Sequence, residues 1–184
     1  MRIISGIWKG KRLVAPEGET VRPTSDRARQ SLFDMLWHAP WAGREMVEGA
    51  QVLDAFAGTG ALGLEALSRG AAAATFLEKD RAALAALRAN IASVTKGQAE
   101  TQIIAGDATK PPRAIKPATL VFLDPPYGAG LLAPALAALD AAGWIAPGAL
   151  LCTELGQRDE VPETRFTTLD DRGHGKARLL ILQA

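Results

Sequence analysis

The apolar positions of this chain change period along its length. Through residues 1–24 they are short and interrupted, with β-like pieces around Arg2–Ile4 and Arg12–Val14 set between glycines and prolines. From Asp26 to His38 they fall at helical spacing. Ala28, Leu32, Phe33, Leu36 and Trp37 share one face, Arg27 and Arg29 lie off it, and Thr24 and Ser25 offer N-caps after Pro23. From Gln51 onward short apolar runs alternate with helical ones. Val52–Phe56, Ala73–Leu77, Gln102–Ala105, Leu120–Leu123 and Ala149–Thr153 read as buried strands. Between them, Ala61–Arg69 reads as a helix ended by Gly70, and Leu131–Ala142 as another. Asp80 caps a helix reaching about Val94, with Leu84, Leu87, Ile91 and Val94 as its core stripe. Strands separated by helices need crossovers, so the sheet is mostly parallel with helices on both faces. The last two strands, around Phe166–Leu169 and Ala177–Leu182, are joined through Gly173-His174-Gly175, too short a path for a helix. They should be antiparallel.

Composition narrows this to one domain. A chain of 184 residues, 48% apolar, can bury a sizeable core. Residues 1–184 are expected to form a single unit, with 1–40 as a basic arm and helix and 50–184 as the core. The formal charge is only +1, yet residues 1–30 carry seven basic side chains against three acidic ones. That asymmetry suggests a basic arm on a neutral body. The lone Cys152 sits in an apolar run and reads as a buried thiol, so no disulfide framework is possible. No signal-peptide pattern opens the chain, and the apolar stretch Leu131 to Cys152 is broken by Pro134, Asp140, Gly143 and Pro147. A soluble, cytoplasmic protein is expected, with no membrane partner.

The first strand runs into Asp54-Ala55-Phe56-Ala57-Gly58-Thr59-Gly60-Ala61-Leu62-Gly63. Gly58 and Gly60 allow a tight turn and close approach to a ligand. Gly58, Gly60 and Gly63 also satisfy the dinucleotide fingerprint, and Glu78 follows Gly60 by 18 residues at the end of the next strand, where a ribose-binding carboxylate belongs. Two carboxylates favour a methyl donor instead. Asp54, four residues before Gly58, would repel a pyrophosphate but suits the cationic amino-acid end of S-adenosylmethionine. Asp107, in Gly106-Asp107-Ala108 after the third strand, suits an adenine amino group, although a turn or cap would also explain it.

The fourth strand ends in Asp124-Pro125-Pro126-Tyr127. Two prolines stiffen the backbone there. An exocyclic amino nitrogen of a base is a poor nucleophile, because its lone pair is conjugated into the ring. The Asp124 carboxylate and the Pro125 carbonyl can accept its N–H groups and draw it toward tetrahedral geometry. Tyr127 would stack on a base that has left its helix. Catalysis of this kind is positioning plus electrostatics.

With these residues in view, the chain resembles the bacterial 16S rRNA (guanine-N2)-methyltransferases, the RsmD family. The likeness is carried by Arg2-Ile3-Ile4-Ser5-Gly6-Ile7-Trp8-Lys9-Gly10 and by Arg22-Pro23-Thr24-Ser25-Asp26-Arg27-Ala28-Arg29-Gln30-Ser31-Leu32-Phe33. Asp54 to Arg69, Glu78-Lys79-Asp80-Arg81 and Asp124 to Tyr127 complete it. It implies a Rossmann-like class I methyltransferase fold: a seven-stranded, mostly parallel sheet with an antiparallel last strand, plus a short N-terminal extension. It implies S-adenosylmethionine as cofactor, and as substrate the guanine N2 amino group in ribosomal RNA or an assembling small subunit. By position, Asp54, Phe56, Gly58, Thr59 and Gly60 would cradle the methionine part. Glu78, with Lys79 beside it, would hold the ribose; Asp107 and Ala108 would hold the adenine. Thr24 and Arg27 would cover the carboxylate end, while Lys9, Lys11, Arg12 and Arg22 would meet RNA phosphates. Relatives often carry Glu at the position of Gln30, and the segment Gly173–Arg178 matches loosely.

Competing readings are an amino-methyltransferase acting on DNA, on another RNA or on protein, a nicotinamide-dependent dehydrogenase, and a non-enzymatic RNA-binding module. No insertion is long enough for a DNA target-recognition domain, and no second substrate domain is present. A bare binding module would leave the glycine loop and Asp124-Pro125-Pro126-Tyr127 unexplained. His38, His174 and Cys152 are not at metal-ligand spacing, so no metal is expected. Trp37 and Trp144 read as packing residues; Trp8, beside Lys9 and Lys11, could pack or stack on a base.

Overall fold

A computed structural model describes residues 1–16, 26–126, 128–157, 159–174 and 177–184. The expectations for Arg22, Thr24, Ser25 and Tyr127 lie outside the described residues. In chain order the elements are α1 (Asp26–His38), a short 3-10 turn (Arg44–Met46), β1 (Gln51–Ala55), α2 (Ala61–Ser68), β2 (Ala73–Glu78) and α3 (Arg81–Thr95). There follow β3 (Glu100–Ala105), β4 (Ala118–Leu123), α4 (Leu132–Ala141), β5 (Ile145–Gly156), β6 (Thr167–His174) and β7 (Ala177–Gln183).

The strands form one seven-stranded sheet in the order β3-β2-β1-β4-β5-β7-β6. The first five pair in parallel, and β7 lies antiparallel between β5 and β6. Alternation along β1 and β4 sends successive side chains to opposite faces, which divides the interior into two cores. On one face Val52, Phe76, Leu120, Phe122, Cys152 and Ile181 pack under α1, α2 and α3. On the other, Leu53, Leu77, Val121, Leu123, Leu151 and Leu180 pack against Leu132, Ala135, Leu136 and Leu139 of α4. Phe33 of α1 meets Phe122 at 5.7 Å between ring centres, fixing α1 over β4.

The N-terminal segment is no loose arm. Ile3, Trp8 and Leu13 are buried in the first core, so Trp8 packs rather than stacking on a base. A turn closes by Gly10 N–H donating to Ile3 O and Ile3 N–H donating to Lys11 O, both at 2.9 Å. It docks on α2 through its backbone. Ile4 and Ser5 N–H donate to the buried Glu65 carboxylate at 2.8 and 3.0 Å, and Trp8 N–H donates to Ser68 Oγ at 3.0 Å. Gly6 has φ +80°, and a Cβ there would come within 1.7 Å of the Ser68 carbonyl oxygen, so only glycine lets the segment lie this close.

Three further expectations change. Arg29, read as lying off the apolar face of α1, is fully buried: its guanidinium is 3.7 Å from Glu65, donates to Asp26 at 2.9 Å and also donates to the Arg2 carbonyl. Arg69 donates to the same Glu65 carboxylate at 2.8 Å and lies over the Phe33 and Trp37 rings at 4.6 and 4.8 Å. A buried carboxylate with two guanidinium partners can hold its charge away from water. β5 is also longer than its apolar run. It begins at Ile145 and passes Pro147-Gly148 through a register shift, where a missing N–H is tolerated. β6 extends to His174, where the sequence suggested a shorter strand.

Candidate active site

Strand order determines where a ligand can sit. β2 and β3 lie on one side of β1, and β4 lies on the other. The chain therefore reverses direction between β1 and β4, and a crevice opens beyond the carboxyl ends of these two strands. Ala55 of β1 pairs with Leu123 of β4, so the loop starting at Phe56 and the turn starting at Asp124 leave the sheet side by side.

The loop after β1 is held in shape from beneath. Phe56 and Ala57 N–H both donate to the Leu77 carbonyl at 3.1 Å, and Gly60 N–H closes a turn on Ala57 O at 2.7 Å. Phe56 carries φ +94°, a conformation that disfavours a bulky side chain and is retained where surrounding contacts impose it. Gly58 has φ +54°, and a Cβ there would meet nothing within 4 Å, so the loop presents bare backbone to the crevice. Gly63, by contrast, faces inward, with a Cβ position 2.4 Å from the Phe76 ring.

Carboxyl groups crowd this end of the sheet. Asp54 is buried beneath the loop and accepts from Gly63 N–H at 2.9 Å. Burial pushes its carboxyl up to about 8, against the pull of the Gly63 amide, with the charges of Asp124 and Glu78 adding to the rise. Asp54 thus supports the loop from within rather than presenting its carboxylate at the surface of the crevice. Glu78 at the end of β2 accepts from Gly58 N–H at 2.7 Å with one oxygen, and from Lys79 and Asp80 N–H at 2.8 Å with the other. Asp107, past the end of β3, accepts from Thr109 N–H and Oγ1–H at 2.9 and 2.8 Å and from Lys79 Nζ at 3.0 Å. The Thr109 amide, then the Lys79 and Thr109 side chains, hold its carboxyl down at about 2. Ala108 is buried on the α4 side.

This donor set answers the choice between two ligand classes. A pyrophosphate needs free N–H groups at the start of the helix after β1. Here Gly63 N–H is bonded to Asp54, Leu64 N–H to the Gly60 carbonyl, and Gly58 N–H to Glu78. Carboxyls at 78 and 107, at the ends of β2 and β3, suit a ligand bearing hydroxyls and an amino group. The residues fit S-adenosylmethionine better than a dinucleotide, whose pyrophosphate would meet Glu78 at the loop.

Asp124 opens into a cleft lined by Ala28 and Leu32 of α1, Leu62 of α2, Leu179 of β7 and the Cys152–Glu154 end of β5. Pro125 is buried and Pro126 exposed. Burial pushes the Cys152 thiol up, so it is no nucleophile. Arg27 is exposed on the first turn of α1, next to Ala28 of the cleft. Lys9, Lys11 and Arg12 are all exposed on the N-terminal segment, apart from this cleft's lining. Among the described residues no group of His, Cys, Asp or Glu could hold a metal ion, and no helix is long and apolar enough to cross a membrane.

The sequence pattern did not reveal Glu65, Ser68 and Asn90. Asn90 is 1% exposed and bonds the carbonyl of Thr59 at 2.9 Å and both backbone groups of Val14. A polar residue at the core spacing of a helix was the available signal: Asn90 follows Leu87 by three positions.

Known proteins resemble this chain in sequence and fold. The family model described as Conserved hypothetical protein 95 matches residues 1–183. The chain is 41% identical over 168 residues to ribosomal RNA small subunit methyltransferase D of Escherichia coli, spanning 88% of this chain and 78% of that one. The protein of the same name from Haemophilus influenzae is 36% identical over 157 residues, spanning 84% and 78%. The solved structure of yhhF from Escherichia coli superposes with a TM-score of 0.83 at 35% identity, covering 100% of this chain and 97% of that one. This chain, with its β1–β4 crevice and docked N-terminal segment, belongs to the Conserved hypothetical protein 95 family, the family of the ribosomal RNA small subunit methyltransferase D proteins.

Proposed function

We propose that this chain transfers a methyl group from S-adenosylmethionine to the exocyclic N2 amino group of a guanine in small-subunit ribosomal RNA. One observation carries the reading: the glycine loop after β1 and the Asp124 turn after β4 emerge side by side at the point where strand order reverses. The relatives named for methylation of small-subunit ribosomal RNA supply the substrate class, and the family likeness supplies guanine N2.

When bound, S-adenosylmethionine supplies an electrophilic methyl group on a sulfonium. The chain's residues do the positioning. Gly58, Thr59 and Gly60 line the methionine part with backbone, Phe56 sets the strained entry to the loop, and Asp54 beneath it holds the loop in shape through Gly63 N–H. Glu78 exchanges its bond to Gly58 N–H for the ribose hydroxyls, with Lys79 beside it. Asp107 and Ala108 border the adenine, and Thr24 and Arg27 cover the carboxylate end. Asp124 and the Pro125 carbonyl accept the two N2–H groups of an extruded guanine, Pro126 stiffens the turn, and Tyr127 stacks on the ring. The alkylated nitrogen is strongly acidic, so Asp124 or water can take its proton. Lys9, Lys11, Arg12 and Arg22 contact RNA phosphates.

Asp124→Ala tests this reading. Turnover should fall by about 10²–10³, as for other lost positioned polar groups, with the circular dichroism spectrum and melting temperature retained. Asp124→Asn keeps an acceptor oxygen and should lose less. An Asp124→Ala protein turning over within about threefold of wild type would remove Asp124 from the chemistry.

A further inference from the structure

Asn90 stands on the buried side of α3, where the neighbouring positions are apolar, and its amide makes three hydrogen bonds. Oδ1 accepts from Val14 N–H at 2.8 Å, while Nδ2 donates to the Val14 carbonyl at 3.0 Å and to the Thr59 carbonyl at 2.9 Å. Toward Val14 the side chain behaves as a strand partner would, pairing both backbone groups. The same amide then grips the residue between Gly58 and Gly60. A second link runs in parallel: the Thr59 hydroxyl lies 3.9 Å from Met1 Sδ, and Leu13 N–H donates to the Met1 carbonyl at 3.1 Å. Val14 is 54% exposed, so its own side chain packs little and its backbone is tied to α3 through the Asn90 bonds. Lys11 and Arg12 lie just before it in the chain.

We propose that Asn90 is a positioning residue that couples the N-terminal segment to the cofactor loop, so that ligand in the loop and RNA on the segment bind cooperatively. The proposal rests on the assignment of loop and segment made above. Its physical basis is that neither partner can leave Asn90 without depriving the buried Asn90 amide of a hydrogen-bond partner. A ligand that orders Thr59 therefore orders Val14 as well, and the second ligand meets a segment whose entropy is already reduced. By linkage the effect is reciprocal.

The measurement is affinity for purified small ribosomal subunits, with and without saturating S-adenosylhomocysteine, for wild type, Asn90→Ala and Val14→Pro. Alanine suits a helix interior, and proline breaks the link from the exposed side by removing the Val14 N–H. In wild type the nucleoside should tighten subunit binding at least about fivefold, the lower end for coupled sites. In both variants the ratio should fall below about twofold, while affinity for subunits alone stays within about threefold of wild type. A merely structural Asn90 would lower the melting temperature and leave the ratio intact. Hydrogen exchange supplies a readout that needs no RNA: S-adenosylhomocysteine should slow exchange of Val14 N–H in wild type and leave it unchanged in Asn90→Ala. Equal ratios in all three proteins, or Val14 exchange indifferent to S-adenosylhomocysteine in wild type, would overturn the coupling. A wild type that binds no S-adenosylhomocysteine would overturn the cofactor assignment and the coupling with it; retained nucleoside-dependent exchange without subunit binding would strike only the RNA assignment.

Discussion

The Asp54 carboxyl holds its proton up to about pH 8 in the folded chain, because burial outweighs the Gly63 hydrogen bond. An aspartate in the unfolded chain gives up its proton near 3.9. The folded state therefore binds this proton more tightly, and the resulting stability is fully present below about pH 4 and lost as pH rises through about 8. Cofactor-free protein should show a falling denaturant midpoint between about pH 5 and pH 8, and Asp54→Asn should flatten that fall; parallel curves would place the proton elsewhere. Glu78 acts differently. It is partly exposed and bonded to three backbone amides, and the proposed function gives it the ribose of the cofactor. Glu78→Ala should weaken S-adenosylmethionine binding by about 1–3 kcal/mol, the usual cost of a lost charged hydrogen-bond partner. Calorimetry returning wild-type affinity would refute its ribose role.

Three parts of the chain, the N-terminal segment, α1 and α2, meet on a single carboxylate. Glu65 accepts from Ile4, Ser5 and Arg69 and faces Arg29. Removing it would strand two buried guanidinium groups, so Glu65→Ala should destabilise the fold by about 3–5 kcal/mol in denaturant titrations, with Glu65→Gln milder. A loss below about 1 kcal/mol would mean that water reaches the cluster. This element scale is also where sequence reading stops. Helix spans and the positions of the parallel strands β1 to β4 were legible because their apolar periods are clean: α1 spans Asp26–His38 as its face indicated, and Asp80 caps α3 by accepting from Ala83 N–H, while β5 and β6 run beyond their apolar stretches. Arg29 was not legible, since a cation at the edge of an apolar face normally points to water, and its partner Glu65 comes from another helix. Trp8 is flanked by lysines, and only the dock against α2 makes it core. The turn at Gly58 and Gly60 and the place of Glu78 at the end of β2 were legible because glycine spacing and strand ends are local features, whereas the burial of Asp54 under the loop was not. Asn90 was not, because its meaning depends on Val14 and Thr59, which the chain brings to it from far away.

At the scale of the whole molecule, a near-neutral chain keeps its surplus cations on one side of its sequence. Lys9, Lys11 and Arg12 are exposed on a segment that Ile3, Trp8 and Leu13 anchor in the core, which groups the three cations proposed to meet phosphates. Replacing all three with alanine should weaken subunit binding and flatten the dependence of log affinity on log salt by roughly 2 units, with S-adenosylmethionine affinity unchanged. Parallel salt plots with equal affinity would send the search for the RNA surface elsewhere. The proposed function brings the reversal of strand order between β1 and β4, the loop after β1 and the Asp124 cleft to one chemical outcome. Its most direct test incubates unmethylated small ribosomal subunits with the protein and methyl-labelled S-adenosylmethionine, digests the RNA and identifies the labelled nucleoside by mass spectrometry. The predicted result is label in N2-methylguanosine at a single position, absent with Asp124→Ala; label on adenine N6, on cytosine N4 or on ribosomal protein would contradict it.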